Sequence, residues 1–357
     1  MRVLILGGTG AMGRELVPIL LSRGLEVTVT SRKENASIEN LTFRQGNAHD
    51  PAFLDELLRE PWDAIVDFMN YRAEEFSVKM KQLLSGTGQY VFLSSSRVYA
   101  DARGLIQEDS PRLPDEPPDK AYLALEDYAL EKARSEDLLF DSGRRNWTII
   151  RPYITYNSNR LQLGEMEKEF WLQRALEGRS IVFSKAISEK LTTMTYGGDV
   201  AAVIAELVGN PAALGEYVHI AAPKPVRWSE VLDIYCDVLE SRMGKRPKIL
   251  LTEGLNVSAK KPYRKARIYY DRLYDRVFSG AKADRLVGHK LQYTAPQDGL
   301  KRCLEEFLDS NRQFLYRSWR FEGCTDRLTC EPWDLQRISG VKQKFKYAVS
   351  RLLLPPA

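Results

Sequence analysis

The sequence predicts an α/β fold: a doubly wound parallel sheet with helices on both faces, followed by a smaller mixed α/β lobe in the C-terminal half. Three observations carry this. Strand and helix signals alternate through the first half of the chain, a glycine-rich turn separates the first strand from the first helix, and the alternation loosens after Pro152. Repeated strand–helix–strand units need crossover connections. Those make the strands parallel and cover both sheet faces.

Arg2–Leu6 is a short apolar run that stops at glycines, and Arg14–Arg23 carries Leu16, Ile19 and Leu20 at helical spacing before Gly24. Glu26–Thr30 alternates around Val27 and Val29. Leu41–Arg44 is a weaker strand, and a helix follows near Pro51–Arg59. Ala64–Phe68, Tyr90–Leu93 and Trp147–Ile150 read as buried strands, with helices between them at Ala73–Leu84 and Leu123–Phe140. Beyond Pro152, helices are expected at Glu165–Leu176, Gly198–Leu207, Trp228–Arg242 and Gln297–Asn311. Strands are expected at Ser180–Phe183 and Glu216–Ile220. The implied organisation is a dinucleotide-binding domain over 1–155 with a returning segment at about 190–225, a substrate lobe over 156–310, and a C-terminal extension over 311–357.

A chain of 357 residues can hold one large domain or two moderate ones. Its 44% hydrophobic and 28% charged content is that of a soluble globular protein. Cys236, Cys303, Cys324 and Cys330 are too scattered for a disulfide scaffold or a zinc pattern, so reduced thiols and a cytoplasmic setting are expected. The three histidines are not paired at ligand spacing, which argues against a metal site. The chain opens on a strand and lacks the run of about 18 apolar residues that a membrane span needs. A net charge of +4 is too small to argue for nucleic acid, but it suits an anionic small ligand.

"LILGGTGAMGREL" sets Gly7, Gly8, Thr9, Gly10, Ala11, Met12 and Gly13 between a strand and a helix. Glycines there allow a tight turn, close approach of the backbone to a pyrophosphate, and close helix–strand packing. The helix N-terminus adds unpaired N–H groups and the positive end of its dipole. This is the dinucleotide-binding turn of a Rossmann-type sheet. At the end of the second strand an acid would hold the ribose hydroxyl of NAD, whereas a basic residue would accommodate the 2′-phosphate of NADP. Here stand Ser31, Arg32 and Lys33, with no acid before Glu34, so NADP is favoured over NAD. The competing reading is that Arg32 only stacks on the adenine.

In "DYALEK", Tyr128 and Lys132 are four apart and share one helix face. Such a pair is either a surface stack or an acid–base couple. "QYVFLSSSRVYA" ends a strand on Ser94, Ser95 and Ser96, where small hydroxyl residues face the ligand crevice of a parallel sheet.

GGTGAMG, FLSSSRVYA, the Tyr128-x-x-x-Lys132 pair, "IIRPYITYN" and "TYGGDVAAVI", in this order over about residues 1–310, resemble the extended short-chain dehydrogenase/reductases. Within these they resemble the nucleotide-sugar epimerase and dehydratase group. The resemblance implies that Tyr128 exchanges a proton with a hydroxyl or carbonyl oxygen. An unperturbed phenol titrates near 10, so Lys132 and a nicotinamide cation would have to lower it. It implies that Lys132 also holds the nicotinamide ribose. A serine three residues before Val98, hence Ser95, would hydrogen-bond the substrate oxygen, with Ser96 the one-residue alternative. Asn47 and Ala48 are expected at the adenine, and Asn70 and Pro152 are counted with the cofactor pocket. Ser95, Arg97, Asn157, Arg160, Gln162 and Arg276 are expected around a nucleotide-activated sugar.

The chain also departs from the family pattern. Dehydratases carry Asp-Glu after the catalytic hydroxyl residue, where this chain has Ser96-Arg97, so 4,6-dehydration is disfavoured. "DFMNYRAEE" replaces the frequent His-x-Ala-Ala, and Asn47 replaces an aspartate. The expected activity is hydride transfer by an epimerase or a keto-sugar reductase. The alternative is a non-catalytic dinucleotide-binding scaffold or an RNA-binding member of the same fold. The basic "GVKQKFKYAVSRLLLPPA" is expected to pack over the lobe or against a dimer partner rather than on a membrane surface, which leaves a homodimer open.

Overall fold

A computed structural model describes residues 1–117, 119–254, 262–310 and 312–353. The chain divides into two compact units. The first comprises 1–157, 193–224 and 277–295; the second comprises 158–192, 225–276 and 296–357. The first unit thus takes back a second segment, 277–295, which falls within the lobe expected over 156–310. Residues of the expected C-terminal extension belong to the second unit.

The first unit is built on seven strands: β1 (Arg2–Leu6), β2 (Glu26–Ser31), β3 (Leu41–Gln45), β4 (Trp62–Asp67), β5 (Thr87–Leu93), β6 (Trp147–Pro152) and β7 (Glu216–Ile220). They form one sheet in the order β7-β6-β5-β4-β1-β2-β3, and every pairing is parallel. The helices are α1 (Ala11–Ser22), α2 (Pro51–Leu57), α3 (Ala73–Ser85), α4 (Tyr128–Phe140), α5 (Gly197–Leu207) and α6 (Ala281–Val287). Val3 pairs with Val27 on one side and Ala64 on the other. The strand order reverses there, between β1 and β4. In an open parallel sheet, that switch point opens a crevice at the carboxyl ends of the strands.

The alternation of β1 sends its side chains to both sheet faces. Val3 and Ile5 join a core with Leu16, Leu20, Val200 and Ile204. Leu4 and Leu6 join the opposite core with Leu54, Phe76, Leu83 and Phe92. Both cores are almost wholly dry, so the strands read as continuous apolar runs.

The expected helix Leu123–Phe140 is two pieces: a turn over Lys120–Leu123, then α4 from Tyr128. Asp127 ends the continuity. Its carboxylate accepts the Ala129 N–H at 2.9 Å and so caps a new helix. The expected helix Glu165–Leu176 starts only at Lys168, because a strand pair, Gln162–Leu163 with Met166–Glu167, turns at Gly164 with φ +59°. The expected helix Gln297–Asn311 runs over Pro296–Asp309, and Asn311 lies outside the described residues.

In the second unit Ile181–Ser184 pairs in parallel with Ile249–Thr252. Trp171, on helix Lys168–Leu176, stacks on Tyr235 of helix Trp228–Met243 with ring centroids 4.5 Å apart. Helix Trp319–Leu328 packs on helix Val341–Leu353, where a Cβ on Gly323 would overlap the Tyr347 carbonyl. Among the described residues no helix is long and apolar enough to cross a membrane.

Candidate active site

The glycine turn from β1 into α1 is dictated by sterics. Gly7 has φ +71°, which favours glycine, and its N–H donates to Thr30 Oγ1 at 2.9 Å, tying the ends of β1 and β2. A Cβ on Gly13 would overlap the Gly8 carbonyl, so only glycine lets α1 pass this close to the turn. Gly10 is the exposed N-terminal cap of α1, and its N–H donates to the Gly7 carbonyl at 3.3 Å. Thr9 and Met12 are partly buried beside it. Backbone N–H groups and a helix dipole are thereby presented beside the switch point, as an anionic diphosphate requires.

A cleft of about 740 Å³ adjoins this turn. Gly8, Thr9, Arg14, Ser31, Arg32 and Lys33 are among its lining residues, and none of the lining residues is acidic. Ser31 ends β2, and its Oγ accepts the Lys33 N–H at 3.1 Å and the Asn35 amide at 2.9 Å. Arg32 and Lys33 are exposed, and Arg14 Nε donates to the Thr9 carbonyl at 3.0 Å. Arg14 is not among the residues expected at the cofactor from sequence, although it directly follows Gly13. Asn47 is exposed after β3, and its Oδ1 accepts the His49 N–H at 3.2 Å. Ala48 is buried, Asn70 is exposed beyond β4, and Pro152 is the buried last residue of β6.

At the carboxyl ends of β4 and β5 lies the tyrosine–lysine pair. Tyr128 is the first residue of α4 and is 36% exposed. Lys132, one turn later, is buried. Its Nζ lies 5.9 Å from the Tyr128 ring centroid, donates to the Leu93 carbonyl at 2.7 Å, and lies 3.3 Å from the Met69 carbonyl. Burial lowers its pKa to about 8, against the opposing pull of Asp67 and Glu136. Asp67 is fully buried at the end of β4, accepting the Met69 N–H and the Tyr90 hydroxyl at 2.8 Å each. Burial raises its pKa, against those hydrogen bonds and the Lys132 charge.

The three serines separate cleanly. Ser94 Oγ donates to Glu136 at 2.5 Å, and Ser96 Oγ donates to the Arg151 carbonyl at 2.7 Å. Ser95 accepts the Arg97 N–H at 3.2 Å as the cap of the turn Ser96–Val98, a contact that leaves its hydroxyl proton uncommitted. Arg97 places its guanidinium 5.6 Å from the Tyr128 ring centroid and 3.6 Å from Asp127. The dehydratase position is thus filled by a cation that lies against the tyrosine.

Behind the serines, Arg151 on β6 forks onto Glu136 of α4 with Nε and Nη2 at 2.8 and 2.7 Å, and Nη1 reaches the Tyr99 hydroxyl at 2.9 Å. Glu136 is one turn after Lys132, so this network fixes α4 against the ends of β5 and β6. Its members escaped sequence reading because a buried ion pair has no local signature.

Asn157, buried, closes a segment of the first unit. The other three expected substrate residues belong to the second unit. Arg160 Nε lies 3.8 Å from Glu167, and Gln162 donates to the same carboxylate at 2.5 Å. Arg276 is fully buried, with Nε 3.1 Å from Asp271, in place of the open fork expected for a diphosphate. Asp271, five residues upstream, supplies the counter-charge that makes its burial tolerable.

Residues 3–221 match the model of the NAD dependent epimerase/dehydratase family. Two curated relatives are similar. One is the 2'-dehydrokanamycin reductase of Streptomyces kanamyceticus, 23% identical over 240 residues, covering 65% of each chain. The other is the chloroplast stem-loop binding protein of 41 kDa b of Arabidopsis thaliana, 25% identical over 244 residues, covering 63% of this chain and 60% of the relative. The chain therefore spans less than two-thirds of the length of either relative. Among solved structures, the Thermus thermophilus UDP-glucose 4-epimerase complex with NAD aligns at TM-score 0.62 and 20% identity, over 87% of this chain and 100% of its own. Pal from Bacillus thuringiensis aligns at TM-score 0.65 and 17% identity over the same shares. MoeE5 in complex with UDP-glucuronic acid and NAD aligns at TM-score 0.64 and 18% identity, over 85% and 98%. These likenesses show the fold. With more than half of its length matched to the family model, the chain belongs to the NAD dependent epimerase/dehydratase family.

Proposed function

We propose that the protein is a nicotinamide-dependent oxidoreductase that works at a hydroxyl or keto carbon of a nucleotide-activated sugar, with NADP(H) preferred and reduction of a keto-sugar as its direction. The observation that carries this is the set Ser95, Tyr128 and Lys132 at the carboxyl ends of β4 and β5, beside a glycine turn in strand–turn–helix context. The nicotinamide, when bound, supplies or accepts the hydride. Gly10 and the N-terminus of α1 hold the diphosphate. Arg14, Arg32 and Lys33, with no acid beside them, favour a 2′-phosphate and hence a cofactor consumed rather than retained.

Tyr128 holds or gives the proton at the substrate oxygen, and Ser95 orients that oxygen. Lys132, fixed by the Leu93 carbonyl, keeps a positive charge beside the phenol and holds the ribose. Arg97 in place of an acid speaks against water elimination. The nucleoside diphosphate class is supported by the relatives of known ligand, a UDP-glucose 4-epimerase and a UDP-glucuronic acid complex.

A stem-loop binding relative motivates an RNA-binding reading. The net charge of +4 and the presence of all three catalytic residue types favour the enzyme. The test is to mix the protein with NADPH and a panel of nucleoside-diphosphate keto-sugars and to follow nicotinamide absorbance. Oxidation of NADPH by one sugar, with the alcohol identified by mass spectrometry, supports the proposal. Turnover without net cofactor oxidation would make it an epimerase. Absence of any turnover together with RNA binding would replace the enzyme reading.

A further inference from the structure

The helix Val341–Leu353 uses one face to pack against Trp319–Leu328, and the opposite face is exposed among the described residues. Tyr347 and Ser350 are buried on the packed side. There Arg351 also donates to the Tyr347 hydroxyl at 2.6 Å and to the Glu331 carbonyl. On the other side Val341 is 85% exposed, Phe345 67% and Leu352 63%. At 3.6 residues per turn these three lie within about 40° of one another around the axis. Leu353, 74% exposed, lies about 80° further round, beyond Lys342.

The charge that this helix sets around the stripe is all of one sign. Lys342 and Lys344 are exposed and flank it on either side, whereas Lys346 is half-buried and lies toward the packed face. The helix carries no acidic residue, and these lysines form no ion pair among the described residues. We propose that this face docks the protein on an anionic lipid bilayer, with Val341, Phe345 and Leu352 entering the acyl boundary and Lys342 and Lys344 meeting lipid phosphates.

Charge complementarity selects this occupant. A second copy of the chain across a two-fold axis would set lysine rims against lysine rims, which repel. A hydrocarbon boundary accepts methyl and phenyl tips with no matching shape, and an apolar stripe rimmed by lysines is the pattern that lies in such an interface. Residence at the surface would not need a membrane-spanning helix. It is independent of the reaction proposed for the first unit.

The test uses the full chain in flotation with phosphatidylcholine vesicles, with and without roughly one-third phosphatidylglycerol. Binding should require the anionic lipid and be released by high salt. Each lysine contributes roughly fivefold near an anionic surface, so Lys342→Gln and Lys344→Gln together should weaken binding roughly twenty-five-fold. Val341→Glu with Phe345→Glu should abolish it while leaving the circular-dichroism melt unchanged, because both side chains are exposed. A Phe345→Trp variant should show a blue-shifted emission with anionic vesicles. The proposal is overturned if the wild type fails to float with anionic vesicles, or if the double glutamate variant floats as well as wild type. It is also overturned if sedimentation shows a dimer that the double glutamate variant dissociates and vesicles do not bind.

Discussion

Cofactor choice can be tested by removing the basic residues of the cleft one at a time. Arg14 and Arg32 both line it, and no carboxylate among the lining residues neutralises them. A hydrogen bond from a guanidinium to a phosphate contributes about 1.5–3 kcal/mol. Arg32 is exposed and screened, so the lower end applies, about 1.5 kcal/mol or roughly tenfold in affinity. Arg32→Ala should therefore weaken NADP(H) roughly tenfold, and NAD(H) by less than about twofold, since NAD has no 2′-phosphate to lose. Arg14→Ala should behave alike, and the double variant should approach a hundredfold if the two act independently. The NADP(H)-to-NAD(H) ratio should also shrink as salt rises. Ser31→Asp should invert the preference by placing a carboxylate at the end of β2 for the ribose hydroxyl. Calorimetry with both cofactors at fixed ionic strength is the assay. Equal losses for NAD(H) and NADP(H), or a Ser31→Asp protein that still prefers NADP(H), would refute the 2′-phosphate role.

Two further outcomes concern other residues. Ser95→Ala should lower turnover with the fold intact, whereas Ser96→Ala should cost about 1 kcal/mol of stability by losing its bond to the Arg151 carbonyl and spare turnover; steady-state kinetics beside urea unfolding separates them. His219 is buried, hydrogen-bonded to Tyr99 and to the Ser279 carbonyl, and burial lowers its pKa to about 4. The unfolded chain takes up this proton below about pH 6.5 and the folded chain only near 4. Stability is therefore lost as pH falls through that window, by about 3 kcal/mol for this group. In urea unfolding at pH 7 and pH 4.5, His219→Gln should lose correspondingly less than wild type; an equal loss would exclude His219 as a source of acid sensitivity.

The glycine turn was legible because its requirement is largely steric and local: of the glycines that define it in sequence, Gly7, Gly8 and Gly13 have no room for a Cβ. The strands were legible because both sheet faces are dry, so β1, β4, β5 and β6 read as apolar runs. Tyr128 and Lys132 could be paired from helical spacing, but the start of their helix was not visible. The apolar residues of 121–130 continue the pattern across Asp127, and only its capping contact breaks it. Burial of Arg276 was hidden for another reason: an arginine five residues from an aspartate looks the same in sequence whether it faces solvent or a core. The return of 277–295 to the first unit and the Arg151–Glu136 fork depend on contacts between distant segments, for which periodicity carries no signal.

The central claim is that Tyr128 moves the proton while Lys132 and Ser95 serve it. Tyr128→Phe keeps the ring that lies against Arg97 and removes only the transferable proton. Single-turnover hydride transfer, followed by nicotinamide absorbance with the substrate found in the panel, measures the step directly. The account predicts that Tyr128→Phe loses turnover by at least roughly a hundredfold while binding the cofactor as wild type does, and that Lys132→Ala loses both. A Tyr128→Phe protein that transfers hydride at the wild-type rate would show that the two side chains are only stacked on a helix face, and would contradict the mechanism.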